Sequence, residues 1–565
     1  MGKGPRKQPP AVDPGSGTTS SPPAAGSVNR WNVLVFVLTA SLTLLVRWPD
    51  LAMPLERDEG EYAYAAQEML RGFLPYRDSF CQKPPVVFFW YLLGFQVFGE
   101  TVVGIHLTLA VAAAAGAFGL FLLAQRLAGR SAAYLAGLAF LVGSAGSGYF
   151  GSAANTEMFM LVAVIYGCLA VLRAAETAKA IPWLVGGACL GLAALTKQVA
   201  VFSFAGPCAY AAWEVARRHG FRSACVGLLW FAAGALAAAL PILTWIVATG
   251  ILEPFLEATV THNVAYVGSP FGLEKWQLLW STMEERFLLT DSGLWLCLLA
   301  AVLSLAWRRC RSAPAVRFAL LWFVFSLLGV ALGPFAFGHY FLQVLPPLAL
   351  TAGVVCSLVM TGPALPLAYR RLLAVLIAAA VLLPMAVGRA ATVIEPVEQR
   401  CHELYQGYGP TPFVAAKHLG DQLRRTAGPE DKLLVFGSEP EILFYARRRS
   451  VTRYTIFYPL TGDYPRAEAM GDAMLAEFEA DPPVWVILSC FLSSFQGSAR
   501  SGERLDRLIS RVEETLDARG YREEAMYWTD AAGSVYRTPP RSRPAGGAAL
   551  LFRVFTTSNS VPGSR

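Results

Sequence analysis

Charge is what this sequence has least of. Only 15% of its 565 residues are Asp, Glu, Lys or Arg, while 55% are hydrophobic and the mean hydropathy is +0.44. An ordinary soluble domain carries about 25% charged residues, so water is excluded as the main solvent and the bilayer takes its place. Histidine is scarce at six residues, and the ten cysteines are scattered without CxxC or metal-ligand spacing. That excludes zinc-ribbon and thiol-redox motifs. Most of the cysteines, including Cys168, Cys189, Cys208, Cys225, Cys297 and Cys356, fall in apolar runs, where Cys is a small hydrophobe. Gly437 lacks the partners of a GxGxxG set, so nucleotide binding has no support. No basic patch is interleaved with exposed aromatics, and the formal net charge of +7 therefore carries no nucleic-acid signal.

What is abundant is the long apolar run. A span needs about 17 to 25 apolar residues, and eleven runs approach or reach that length. They cover Trp31 to Trp48, Val102 to Gln125, Ser131 to Tyr149, Met158 to Leu172, Trp183 to Leu195 and Val199 to Trp213. The rest are Ala224 to Val247, Leu294 to Trp307, Phe318 to Leu332, Tyr340 to Val359 and Leu372 to Val387. With the N-terminus inside, every cytoplasmic loop is basic, as the positive-inside rule requires. Those loops hold Arg126, Arg130, Arg173, Lys179, Arg217, Arg218, Arg222, Arg308, Arg309, Arg311, Arg317, Arg370 and Arg371, against only Glu176 and Glu214. Residues 1–30, rich in Pro, Gly and Ser, read as a disordered cytoplasmic tail, because the first run is too long for a signal core. An odd number of spans leaves the first outside loop, 49–101, and everything after about Arg389 on the extracytoplasmic side of an inner, plasma membrane.

Residues 390–565 change character. Lys432 to Gly437 and Pro483 to Leu488 are short buried-strand patterns, Glu439 to Ala446 could open a helix, and Gly502 to Arg519 has helical apolar spacing. Alternating strands and helices predict a small soluble α/β domain. The expected fold class is thus mainly α, polytopic, with residues 31–389 in the membrane and a C-terminal α/β domain outside.

The residues suited to chemistry lie in the outside loops. In Glu56-Arg-Asp-Glu-Gly-Glu-Tyr62, the apolar Tyr62, Ala65, Ala66 and Met69 recur at helical spacing, which predicts an amphipathic helix on the membrane surface with Asp58 and Glu59 at its N-terminus. A purely structural role is also open: Asp58 as N-cap with Glu61 completing a capping box. Lys83 precedes Pro84-Pro85, where a helix N-terminus and an ammonium could hold a phosphate. The alternative is a lysine snorkelling to headgroups.

Asp58-Glu59 leading into Tyr62-Ala-Tyr-Ala-Ala-Gln-Glu-Met, followed by Lys83-Pro84-Pro85, resembles the first outside loop of glycosyltransferase family 39. That family includes dolichyl-phosphate-mannose protein mannosyltransferases and the aminoarabinose transferases that modify lipid A. The resemblance implies a GT-C fold and inverting transfer of a sugar from a polyprenyl-phosphate donor to an extracytoplasmic protein, lipid or glycan acceptor, with no cofactor. It implies Asp58 as base, with Glu59 beside it, and Lys83 on the donor phosphate. Glu157, His339 and Tyr340 resemble positions near the cavity, and Lys197 resembles a further phosphate-binding position. Simple solvation of Glu157 and an ordinary interfacial Tyr340 are the structural alternatives. His262 and Asn263 sit where aminoarabinose transferases place a His and, soon after, a phosphate-binding Arg; here no Arg follows, so His262 or Lys197 would substitute. Those relatives carry a metal-binding acid before the lysine, whereas this chain has Gln82, so no metal is expected. These departures favour a hexose such as mannose. The rivals are a transporter or flippase of lipid-linked sugars, which would show repeated halves or midplane charges, and a non-catalytic envelope assembly protein. The ordered Asp-Glu, Lys-Pro-Pro and His-Tyr motifs have no purpose in the latter.

Overall fold

The computed structural model describes residues 30–267, 273–306, 313–333, 335–406, 409–495, 499–544 and 546–557. Residues 1–29 of the expected tail, and Arg308, Arg309 and Arg311 of the basic loops, lie outside the described residues. In chain order the first half runs through α1 (Arg30–Arg47), α2 (Arg57–Leu70), α3 (Val86–Phe98), α4 (Val102–Ala128) and α5 (Arg130–Gly143). It continues through α6 (Thr156–Thr177), α7 (Ala180–Ala194), α8 (Ala200–His219) and α9 (Phe221–Ala248). A short α10 (Leu252–Leu256) leads through a π-helical turn at Glu257–Thr261 into α11 (His262–Val267), then α12 (Leu273–Arg286) and α13 (Ser292–Ser304). Next come α14 (Pro314–Ala331), a 3₁₀ segment at Gly338–Val344, α15 (Leu345–Thr361) and α16 (Leu367–Thr392).

Each expected span coincides with a helix, but not all are equal. Seven are long and apolar enough to cross a bilayer: α1, α4, α6, α9, α14, α15 with its 3₁₀ lead-in, and α16. Helices α5, α7 and α13 have 14, 15 and 13 residues. At 1.5 Å per residue they reach about 20–23 Å, short of a hydrocarbon core about 30 Å thick. Helix α8 has 20 residues but ends in a charged turn. There the buried Glu214 takes Arg217 at 2.7 Å and Arg218 at 2.9 Å, and reaches Arg317 of α14 at 3.5 Å. Three of the basic residues that signalled the cytoplasmic side therefore converge on one carboxylate and tie two helices together. Where α7 crosses α9, Gly187 faces the backbone of Phe231 and Gly234 faces that of Leu184, so the two main chains approach as only small residues permit.

The C-terminal domain, the one expected from sequence to be soluble, comprises α17 (Val397–Tyr405), α18 (Phe413–Thr426), β1 (Leu433–Phe436), α19 (Pro440–Ala446), α20 (Tyr458–Thr461) and α21 (Ala467–Ala480). It is completed by β2 (Trp485–Ser489), α22 (Ala499–Ala518), β3 (Tyr521–Thr529), β4 (Val535–Thr538) and β5 (Ala549–Thr557). The five strands form one sheet in the order β1-β2-β5-β3-β4. Strands β1 and β2 pair in parallel, with Leu433 opposite Trp485, and the remaining pairs are antiparallel. The two strand patterns read from the sequence are β1 and β2, and both are fully buried; β3 and β5 escaped because their alternation is broken by bulges.

One expectation is overturned. Helix α2 is not a surface helix, because residues 59–68 are buried on every side. Its polar face is covered by α19 of the soluble domain, whose Glu441 backbone lies so close that a Cβ on Gly60 would come within 2.6 Å of it. The phenol of Tyr445 accepts a hydrogen bond from the Leu55 amide at 2.8 Å, and that of Tyr64 accepts one from Ser450 at 2.9 Å. The helical period was correct, but the second apolar surface comes from a segment some 390 residues away.

Candidate active site

The first turn of α2 sets the site. Glu56 is the N-cap: its side chain accepts from the Glu59 amide at 3.2 Å, and Glu59 accepts from the Glu56 amide at 3.2 Å. The capping box is therefore Glu56 with Glu59, not Asp58 with Glu61, and this correction releases Asp58 from capping. Glu59 is committed to structure, since its other oxygen accepts from the Ala154 amide at 2.7 Å and lies 3.0 Å from His106 Nε2. It does not reach the cavity, where sequence reasoning had placed it beside Asp58.

The Asp58 carboxylate, 24% exposed, faces Lys83, which is 14% exposed, across 3.8 Å between Oδ2 and Nζ. The Tyr62 hydroxyl donates to the same oxygen at 3.3 Å. The Lys83 loop is held from both sides: Tyr76 donates to the Lys83 carbonyl at 2.9 Å, and Asn263 donates to the Gln82 carbonyl at 2.9 Å. Asn263, singled out from sequence with His262 as a position where relatives hold the substrate, thus uses its amide on this loop and on Thr259. The helix N-terminus expected after Lys83 to face a phosphate is partly engaged, because the Val86 N–H, at the start of α3, donates to the Leu195 carbonyl at 3.0 Å.

A second charged group stands behind the first. Lys197, on the turn between α7 and α8, forms an ion pair with Glu157, and its Nζ lies 4.3 Å from the centre of the Tyr340 ring. Glu157 also accepts from Thr156 at 3.0 Å and lies 3.9 Å from His339 Nε2. Simple solvation of Glu157 is therefore ruled out; it is buried and paired. His262 is buried edge-on against Phe80 and Tyr464, at centroid distances of 5.9 and 5.1 Å. Burial, helped by Lys83, lowers its pKa to about 4, so it is neutral near pH 7.

Burial pushes the Asp58 carboxyl upward, but Lys83 foremost, then His339, Lys197 and Arg57, outweigh it and hold it below the usual carboxylate range. One helical turn on, burial and the Asp58 charge raise Glu61 to about 7. Two acids three residues apart thus have opposite tendencies, the arrangement that separates an ionised base from a neutral neighbour.

These groups open onto a cavity of about 530 Å³. Its membrane-side wall includes Asp58, Lys83, His262, His339 and Tyr340, whereas Tyr62, Glu157, Lys197 and Asn263 stand behind that wall. The opposite wall belongs to the soluble domain: Tyr405, Phe413, Tyr458, Asp463, Tyr464 and Phe495. Sequence reasoning missed this wall, although the aromatic-rich stretch Tyr454-Thr-Ile-Phe-Tyr-Pro-Leu-Thr-Gly-Asp-Tyr464 was an available signal. It also missed Arg57, which adjoins Asp58 in sequence and lines the same cavity. Among the described residues, no group of three His, Cys, Asp or Glu side chains is placed to hold a metal ion.

Residues 82–245 match the family model described as dolichyl-phosphate-mannose-protein mannosyltransferase. No curated protein sequence matches the chain. Among solved structures, ArnT from Cupriavidus metallidurans bound to undecaprenyl phosphate is similar with a TM-score of 0.59 at 16% identity, over 95% of this chain and 100% of that one. Its apo form gives 0.58 at 16% identity, over 94% and 98%. The archaeal oligosaccharyltransferase AglB from Archaeoglobus fulgidus, in complex with an inhibitory peptide and a dolichol-phosphate, gives 0.51 at 11% identity, over 92% and 75%. The fold of this chain is accordingly similar to that of these structures, a polytopic helical body carrying a C-terminal domain with a small sheet.

Proposed function

We propose that the protein is a membrane glycosyltransferase that moves a sugar, a hexose such as mannose, from a polyprenyl-phosphate donor onto a hydroxyl of an extracytoplasmic acceptor with inversion at the anomeric carbon. One observation carries this reading. A carboxylate held ionised and a lysine ammonium face each other across 3.8 Å at the wall of a cavity large enough for a sugar phosphate and an acceptor. Asp58 takes the proton from the acceptor hydroxyl as that oxygen bonds to the anomeric carbon. The bond from that carbon to the phosphate oxygen breaks, and Lys83 stabilises the charge on the departing polyprenyl phosphate.

The similarity to proteins that bind undecaprenyl phosphate and dolichol-phosphate supports the donor class, and the mannosyltransferase family match supports a hexose. The acceptor, whether protein, lipid or glycan, enters from the aromatic wall of the soluble domain, on the extracytoplasmic side of the inner membrane. Tyr340 and His339 touch the donor, and Lys197 with Glu157 sets the field behind them. The test is transfer by purified protein in liposomes from a radiolabelled panel of polyprenyl-phosphate sugars, with crude envelope as acceptor. Label moved by the wild type and not by Asp58→Asn is the expected result; no transfer from any donor overturns the reading.

A further inference from the structure

Arg57 and Asp58 are consecutive residues at the start of α2, yet their side chains have different partners. The Arg57 guanidinium is claimed entirely by the soluble domain. Its Nε donates to the Ser438 carbonyl at 2.5 Å, one terminal nitrogen donates to the Tyr458 hydroxyl, and the other pairs with Glu439 Oε1 at 2.9 Å. Glu439 is 0% exposed, and its second oxygen accepts from Ser489 and from Ser494, the latter at 2.7 Å. Ser494 in turn accepts from the Ser438 amide at 2.8 Å, and the Ser438 hydroxyl accepts from the Phe457 amide at 2.9 Å. Two segments of the soluble domain, at Ser438-Glu439 and at Tyr458, thus hold one arginine of the membrane domain, and Ser489 and Ser494 brace Glu439 behind them. Mere docking does not call for this. A buried ion pair carries a desolvation cost that often cancels its attraction, and apolar side chains of similar volume would hold two domains together as well.

We infer that Glu439 and Tyr458 are positioning residues: they form a latch that holds Arg57 away from Asp58 and fixes the first turn of α2, so that the Asp58 carboxylate stays open to the acceptor hydroxyl. Without Glu439, the acids adjacent to this permanently charged guanidinium are Glu56, already spent on the capping box with Glu59, and Asp58. A bidentate Arg57–Asp58 pair would occupy the oxygens that must accept a proton. The soluble domain is on this account a part of the site, and its docking determines whether the base is available. The inference rests on the proposed activity.

The experiment uses the full-length protein in liposomes with a polyprenyl-phosphate sugar that the wild type transfers. Glu439→Gln is expected to lower kcat by about 10- to 100-fold, the scale of a small misplacement of a reacting group. The donor KM should stay within about twofold, because Lys83 keeps its place. The acid limb of the pH–kcat profile should move to lower pH, because a freed guanidinium beside Asp58 favours the ionised form. Adding Arg57→Met to Glu439→Gln should raise kcat above that of Glu439→Gln alone, since the captor has been removed; a simple interdomain staple gives no such recovery. An unchanged kcat and pH profile in Glu439→Gln, or a double variant slower than the single one, overturns the latch. Should Glu439→Gln fail to give a monodisperse protein, Tyr458→Phe removes one hydrogen bond and keeps the ion pair. A fall in kcat at unchanged donor KM then supports the latch, and an unchanged kcat overturns it. Amide hydrogen exchange across α2 separates the two claims. Equal exchange in wild type and variant overturns the latch whatever the activity, while a wild type that transfers from no donor overturns the activity and leaves exchange to decide the latch.

Discussion

At the scale of single residues, the site depends on which carboxylate is spent on structure and which is left over. Glu56 and Glu59 close the helix start on each other, and Asp58 is the acid between them that faces the cavity. Asp58→Asn should reduce transfer by about 10²- to 10⁴-fold, the usual worth of a general base, with an unaltered gel-filtration profile; retained turnover would remove Asp58 from the chemistry. Lys83→Ala should lower kcat/KM for the donor by about 10²-fold or more, and it carries a pH signature. Lys83 is the foremost group holding Asp58 below its ordinary range, and the base works unprotonated, so its loss should move the acid limb of kcat to higher pH. Asp58 and Lys83 were legible in the sequence because each sits in a short motif whose geometry is local. The true employment of Glu59 was not, because its partners His106 and Ala154 lie 47 and 95 residues away.

At the scale of elements, α2 shows where periodicity stops being informative. Its apolar stripe correctly announced a helix, but its polar face meets α19, and nothing in residues 57–70 announces that cover. Gly60 is the contact point. Gly60→Ala would push a methyl to within 2.6 Å of the Glu441 amide nitrogen, and overpacking of this kind costs about 1–3 kcal/mol, to be read as a lower unfolding temperature in detergent. Glu441 itself is fully buried, and burial, with Glu439 next to it, drives its carboxyl well above the usual range. The unfolded chain ionises Glu441 above about pH 4.3 while the folded chain does not, so the stability it allows is complete below that pH and declines as pH rises. Glu441→Gln should therefore flatten the fall in melting temperature between pH 5 and pH 8, with a gain near neutrality of about 2–4 °C for each kcal/mol released; parallel curves for the two proteins would contradict this.

At the scale of the whole molecule, the basic loops and the apolar runs made the membrane body legible, since a helix in lipid must satisfy its backbone alone and declares itself by composition. The short helices α5, α7 and α13 blurred the boundaries, and the joining of the two domains was invisible because no local pattern encodes it. Sidedness is testable with Cys490, exposed on the soluble domain. In a variant keeping it as the sole cysteine, a membrane-impermeant maleimide applied to intact cells should label it without permeabilisation, and protection until lysis would reverse the topology. The burial of α2 has a consequence in time as well. Its cover is made by residues such as Tyr445, 390 positions after the Leu55 amide they bond. At a synthesis rate of about 5–20 residues per second, α2 waits about 20–80 s after leaving the ribosome before that cover exists. The nascent chain must carry an uncovered α2 through the insertion of every later span, and the proposed transfer can begin only when the last quarter of the chain has closed over the first.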